Sequence, residues 1–272
     1  MDRLAIGCLS VFGLPPVGLV NLAADVGCRH ISTTVRGFPL VPLGYRPFTL
    51  KDTALRMELR AALNHRGASI SLGDGFLVLP DTDVAVYCGD LDVLAELGTP
   101  RISVVSLDPD LGRTLDQFSI LAALAAQRGI ITTLEPVPGL TVGDLPTALA
   151  ALKHVARPDF VLLIDTMHLV RSGSGAADLA ALQPGFIGYA QLSDTTFRPR
   201  GDNYMDEAMF ERMVPGEGEL PLHDILSALP RDIIIEIEVP QRSPAMNGVD
   251  PIDRLRPCVE AARRLLAGTS AG

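Results

Sequence analysis

Eight short apolar or β-branched runs, each followed by a longer amphipathic run, constrain this chain more than any other feature. The strand-like runs cover residues 4–8, 30–34, 68–72, 102–107, 130–135, 160–165, 187–192 and 233–238. Helical patterns cover residues 16–26, 50–65, 84–97, 111–128, 142–156, 176–182, 220–229 and 251–266. Successive parallel strands need a crossover helix, so this alternation predicts a parallel sheet. Eight such units close naturally into a (β/α)8 TIM barrel, here a single domain over residues 1–272. The alternative, an open doubly wound sheet, wants a glycine-rich turn after its first strand. Gly7-Cys8-Leu9-Ser10 is no dinucleotide fingerprint.

Composition narrows the function classes. Apolar residues at 47% supply a full core, yet no apolar run reaches the ~20 residues of a membrane span. A net charge of −9 argues against nucleic acid, whose binding leans on clustered Lys and Arg. Cys8, Cys28, Cys88 and Cys258 form no CxxC pair, which excludes a zinc knuckle and points to reduced thiols in a cytoplasmic protein. Met1-Asp2-Arg3 runs straight into Leu4-Ala5-Ile6 without a secretion-type leader. The expected partner is a small molecule, not a membrane or a nucleic acid.

In a barrel of this kind the reactive side chains sit at the C-terminal strand ends. The first four ends offer little: Cys8, Thr33 with Thr34, Leu72, and Leu107 with Asp108. The last four bring Glu135, Asp165, Gln191, and Glu236 with Glu238. Carboxylates held together repel unless a cation or proton intervenes. Three carboxylates and an amide oxygen make a hard site suited to manganese or magnesium, with zinc or cobalt as alternatives. A strand-end aspartate is also a common helix N-cap, so Asp165 alone carries little. Two long stretches, residues 37–49 and 193–218, read as non-helical loops of functional length. The segments 12–15 and 38–40, with Phe197, offer apolar surface for a less polar, ring-shaped substrate.

Thr133-Leu134-Glu135-Pro136, Leu163-Ile164-Asp165-Thr166-Met167-His168, Ala190-Gln191-Leu192-Ser193-Asp194, the run from Val214 to Leu220 and Ile237-Glu238-Val239-Pro240 together resemble the xylose-isomerase-like TIM barrels, the sugar phosphate isomerases and epimerases. The likeness covers the chain from about Ile130 onward. It implies a Glu-Asp-His/Gln-Glu metal set at Glu135, Asp165, Gln191 and Glu238. Glu238 is preferred to Glu236 because it lies nearer the strand's C-terminal end and precedes a Val-Pro pair. The resemblance gives His168 a contact to a substrate oxygen and Arg212 a substrate-binding role. Arg171 is a candidate for orienting a phosphate or carboxylate. Arg198 and Arg200 rival Arg212, and Arg36 is a weaker candidate. The resemblance also leaves a homodimer open.

The expected chemistry is proton abstraction from a hydroxy-ketone, a sugar or keto-polyol, through an enediolate, with Glu135 and Glu238 as the acid/base pair. That is isomerisation or epimerisation. Expulsion of a β-hydroxyl from the same enediolate makes a lyase, and a barrel that binds without turnover is the non-enzymatic rival. Two departures stand out: Gln191 replaces the common His, and residues 136–142 lack the second Glu of the hexulose epimerases. The endonuclease branch needs a His-rich zinc cluster that five scattered histidines do not provide.

Overall fold

The computed structural model describes residues 3–37 and 43–269, and its strands form a closed barrel in sequential order. They are β1 (Leu4–Ile6), β2 (His30–Thr34), β3 (Ser69–Val78), β4 (Arg101–Ser106), β5 (Ile131–Leu134), β6 (Phe160–Asp165), β7 (Ile187–Leu192) and β8 (Ile235–Ile237). All neighbours pair parallel, and β8 closes on β1 through Leu4 with Ile235 and Ile6 with Ile237. This excludes the open doubly wound sheet. The outer helices that matter below are α1 (Pro16–Asp25), α2 (Thr53–Arg66), α3 (Cys88–Glu96), α4 (Leu111–Ala126), α5 (Leu145–Val155) and α6 (Thr166–Arg171). They are followed by α7 (Ala176–Ala180), α8 (Tyr204–Phe210), α9 (Leu222–Ala228), α10 (Arg242–Met246) and α11 (Pro251–Thr269). Aspartates start several of them: Asp52, Asp110, Asp144 and Asp165 each accept a first-turn N–H, meeting donors that a helix start leaves orphaned. Among the described residues no helix is long and apolar enough to cross a membrane.

Side chains alternate across a strand, so period two decides what fills the barrel. Leu72, Leu163 and Tyr189 pack together inside it with Ile234 against them. Two residues on from each stand Asp74, Asp165, Gln191 and Glu236. An apolar plug therefore lies directly beneath a polar layer, and Glu238 stands two residues above Glu236. Register agrees: Asp165 pairs with Gln191, and Gln191 with Glu236.

Two expected elements change near the site. β3 does not stop at Leu72; it bulges between Gly73 and Phe76 and runs on to Val78. Gly75 takes a φ of +90°, a conformation L side chains resist, and the bulge carries Asp74 into the barrel mouth. The stretch 193–218 is not wholly irregular, because Asn203 caps α8 by accepting from the Met205 and Asp206 N–H groups. The segment 38–40 lies outside the described residues.

Candidate metal centre

The acidic residues at the ends of β5 to β8 meet around one cation from the chain itself. Arg212 is buried. Its Nη1 lies 2.5 Å from Asp165 Oδ2 and 3.1 Å from Glu238 Oε2. Its Nε donates to the Ala208 carbonyl at 2.7 Å, so the end of α8 fixes the side chain. The sequence argument held that the carboxylates need an ion; the fold supplies part of that charge internally. Burial works to raise the Asp165 pKa, but Arg212 and His168 more than offset it and hold the carboxyl below its ordinary value. Asp165 also caps α6, its Oδ1 accepting the His168 N–H at 2.8 Å. One side chain thus both caps α6 and pairs with Arg212.

One guanidinium does not balance the mouth. Asp74, Glu135 and Glu238 line it, and Asp165 and Glu236 are buried beside them. Burial raises the Glu238 carboxyl well above the usual range, with Arg212 opposing and Glu135 and Glu236 adding to the rise. Burial and then the Asp74 charge push Glu236 up to about 8. Burial also raises Asp74, partly offset by a 2.6 Å hydrogen bond from Ser103 Oγ. These groups resist ionising together, which is how a site short of positive charge behaves.

Gln191 sits between the two glutamates of β8. Its Nε2 donates to Glu238 Oε1 at 2.9 Å and to Glu236 Oε1 at 3.1 Å. This orientation gives both amide hydrogens to the two carboxyls. Its Oε1 is consequently buried without a hydrogen-bond partner. An orphaned buried oxygen beside under-neutralised carboxylates fits a bound cation. Ligand atoms of Glu135, Asp165 and His168 also lie within 4.8 Å of one another, a spacing a metal could bridge. His168 was expected to touch substrate; here its imidazole belongs to this group as well. Tyr204 Oη lies 2.5 Å from His168 Nδ1, and His168 Nε2 lies 3.4 Å from Glu135 Oε1. Burial pushes the Tyr204 hydroxyl pKa up, so it keeps its proton and can donate to Nδ1.

The two β8 glutamates part ways. Glu238 lines the cavity shared with Glu135, His168 and Arg212, and Glu236 does not. Glu236 accepts from Tyr189 Oη at 2.9 Å, and its Oε1 would sit 2.7 Å from a Cβ placed at Gly7, so only glycine fits there. The cavity holds about 420 Å³. Glu135, His168, Arg212, Glu238 and Asp74 form its polar side. Leu9, Val35, Phe76, Val137, Leu140 and Met209 are among its apolar walls. An apolar wall was expected, but from other residues: Phe12 is fully buried in the core and Phe197 is 55% exposed, and neither lines the cavity.

The arginine candidates separate. Arg212 and Arg36 line the cavity, while Arg171, Arg198 and Arg200 do not. Arg171, expected to orient an anion, points beneath α8 instead. Its Nη2 is 3.0 Å from Glu207 Oε1, and its Nε donates to the Thr196 carbonyl at 3.1 Å. Arg200 shares Glu207 at 3.3 Å, and Arg198 is exposed, contributing its carbonyl to Arg171. These contacts hold the loop that carries Arg212. Asp194 does the same for the glycine turn. It accepts from the Gly216, Gly218 and Leu220 N–H groups at 2.8, 3.0 and 3.2 Å. A Cβ at Gly218 would come within 2.3 Å of Asp194 Oδ1. Sequence reasoning missed Asp74 and Tyr204. Asp74 was signalled only by its period-two spacing from Leu72 across Gly73.

The family model of xylose isomerase-like TIM barrels matches residues 20–265. The chain belongs to that family. No curated protein matches this barrel in sequence. Among solved structures it is similar to the IolI protein with a bound zinc atom, with a TM-score of 0.80 and 18% identity over 98% of this chain and 99% of that one. A D-psicose 3-epimerase solved with D-fructose gives 0.73 and 16% identity over 98% and 100% of the two chains. A probable 3-DHS dehydratase, AsbF of Bacillus anthracis, gives 0.74 and 15% over 96% and 98%. At these identities the likeness speaks for the fold. The family is largely enzymatic and includes epimerases, isomerases and a dehydratase.

Proposed function

We propose that this barrel is a divalent-metal-dependent isomerase or epimerase acting on a hydroxy-ketone by proton abstraction next to the carbonyl. The observation that carries the reading is the partnerless Gln191 oxygen beside carboxylates that one guanidinium does not neutralise. Glu135, Asp165, Gln191 and Glu238 would hold the ion, with His168 at its edge. When bound, a divalent cation supplies a Lewis acid that makes the hydrogen beside the substrate carbonyl more acidic. Manganese or magnesium suits the oxygen donors; zinc would need His168 Nε2 to give up its hydrogen.

The chain's own groups do the rest. Glu135 and Glu238 come from strands three apart in the ring and both line the cavity. One can take the proton from one side of the substrate and the other return it from the opposite side, which inverts or moves the stereocentre. His168 Nε2–H can donate to a substrate oxygen while Tyr204 fixes the ring. Arg212 holds Asp165 and Glu238 in place and offers positive charge to an oxygen that gains electron density. The apolar walls exclude water and favour a substrate with a hydroxy-ketone edge and a less hydroxylated body. A free ketohexose would set hydroxyls against hydrocarbon there.

Elimination of a β-hydroxyl would use the same base and the same hydrogen-bond donor. The apolar wall gives this lyase reading its support, since it tolerates an unsaturated product. The test is metal analysis on protein purified without chelator, followed by NMR in heavy water with a panel of hydroxy-ketones. Metal-dependent deuterium uptake at the carbon beside the carbonyl is expected, and the product spectrum separates epimer from alkene. A chain with no stoichiometric metal and no exchange after reloading sinks the proposal.

A further inference from the structure

Charge reverses where the cavity opens. Arg36 follows β2, Lys51 precedes the cap of α2, and both reach Asp90 in α3. Arg36 Nη1 and Nη2 donate to Asp90 Oδ2 and Oδ1 at 2.6 and 3.1 Å, and Lys51 Nζ lies 2.8 Å from Oδ1. The Asp90 side chain is only 4% exposed, whereas those of Arg36 and Lys51 are 56% and 46% exposed. Two cations thus share one sunken anion, and one positive charge is left over at the rim. Asp52, next to Lys51, is occupied with the Ala54 N–H at 2.9 Å. Arg36 Nε has no hydrogen-bond partner among the described residues.

The placement is held from the backbone. Arg36 bridges Thr49 in antiparallel fashion, flanked by Gly37 N–H to the Phe48 carbonyl at 3.0 Å and Leu50 N–H to the Val35 carbonyl at 2.7 Å. Arg36 and Asp90 both line the cavity that Glu135 and Glu238 also line, together with apolar residues, and Lys51 meets it through Asp90. A fastening ion pair needs one cation on Asp90; a second, with open donors facing a cavity mouth, is what anion recognition requires.

We propose that Arg36 and Lys51 form an anion-binding rim for a carboxylate or phosphate carried by the molecule that occupies this cavity. The substrate class is then an anionic hydroxy-ketone with an apolar middle. This rests on reading the cavity as the substrate site, but its test needs neither turnover nor metal.

The probes are benzoate, phenyl phosphate and the uncharged isostere benzamide. They are titrated into the full chain with chelator present, at low ionic strength, by ligand-observed NMR. At least one of the two anions is expected to bind tenfold or more tightly than benzamide, and the tighter of the two names the group the rim prefers. Arg36→Gln should abolish that preference while Lys51 still pairs Asp90; Lys51→Met should weaken it, and it serves alone if the first variant does not fold. Equal binding of all three probes overturns the proposal. So does a preference that survives Arg36→Gln, which would place the anion on Arg212. A barrel that fails the metal and exchange tests leaves this result standing.

Discussion

Replacing Arg212 with methionine keeps a long flexible side chain and removes the charge that Asp165 and Glu238 share. All three side chains are buried, at no more than 8% exposure. Breaking a buried pair by removing one partner typically costs ~3–5 kcal/mol, because the other charge is left uncompensated. For a domain of this size that converts to a melting shift of roughly 10 °C. The measurement is urea unfolding of the metal-free chain followed by far-UV circular dichroism. Its pH dependence has a definite sign. Arg212 and His168 hold the folded Asp165 below its ordinary pKa against the pull of burial. It therefore contributes stability above its unfolded value near ~3.9 that is lost as pH falls through the depressed folded value. The variant lacks that contribution, and its carboxyls neutralise by taking up protons. The gap between wild type and Arg212→Met should be widest above pH 7 and narrow toward pH 4. Manganese should close part of it, since an ion at a hundred times its dissociation constant adds ~2.7 kcal/mol. It should bind the variant more tightly once no guanidinium competes for Asp165 and Glu238. A variant within ~1 kcal/mol of wild type at pH 8, or a gap indifferent to pH, would refute the assignment of Arg212 as internal counter-charge.

Glu238→Gln should lose the divalent ion in equilibrium dialysis and Glu236→Gln largely keep it; the opposite ranking moves the last ligand one layer deeper. The metal-free chain should lose stability as pH rises from 5 to 8. The folded state keeps Glu236 protonated up to about 8, whereas the unfolded chain releases that proton near ~4.3. Glu236→Gln should flatten this slope, read from urea midpoints across the range. Asp194→Ala strips the acceptor from the Gly216, Gly218 and Leu220 N–H groups and should cost ~3 kcal/mol or more, with hydrogen exchange rising first in that turn.

The barrel was legible because strand and helix leave different periods, and because its catalytic end is fixed by chain direction. Glu135, Asp165, Gln191 and Glu238 fall out of that rule, and the fold does bring them to one mouth. Asp74 did not, because Gly73 and Gly75 flank it and glycines read as strand breakers, whereas here they shape a bulge inside a continuing strand. Asn203 followed by Asp206 and Glu207 is a sound helix start, but surrounding glycine and proline hid a helix of only seven residues. The arginines show the harder limit. Arg171, Arg198, Arg200 and Arg212 all lie in polar segments near the mouth, and nothing local distinguishes them. Arg212 reaches Asp165 across 47 residues of sequence, and Arg171 reaches Glu207 across 36. Which one enters the cavity is decided by how the loop folds, and that depends on Glu207 and Asp194 together.

In the metal site proposed above, Gln191 would be the weaker ligand, and its hydrogen bonds say why it would suit. A neutral imidazole has one N–H and one acceptor nitrogen, so it can satisfy one glutamate and one cation; a charged imidazole can satisfy two glutamates and no cation. The amide gives both hydrogens to Glu236 and Glu238 and still keeps an oxygen free, without adding charge. It therefore orders the β8 glutamates before any ion arrives, as Arg212 orders Asp165 and Glu238 from the other side. A site organised in this way would lose less on assembling around the proposed cation, which would offset the lower affinity of a single amide oxygen. On that proposal the ion's hold would also depend on Glu236, a residue outside the cavity, because losing its bond to Gln191 would free the amide to turn and withdraw the oxygen.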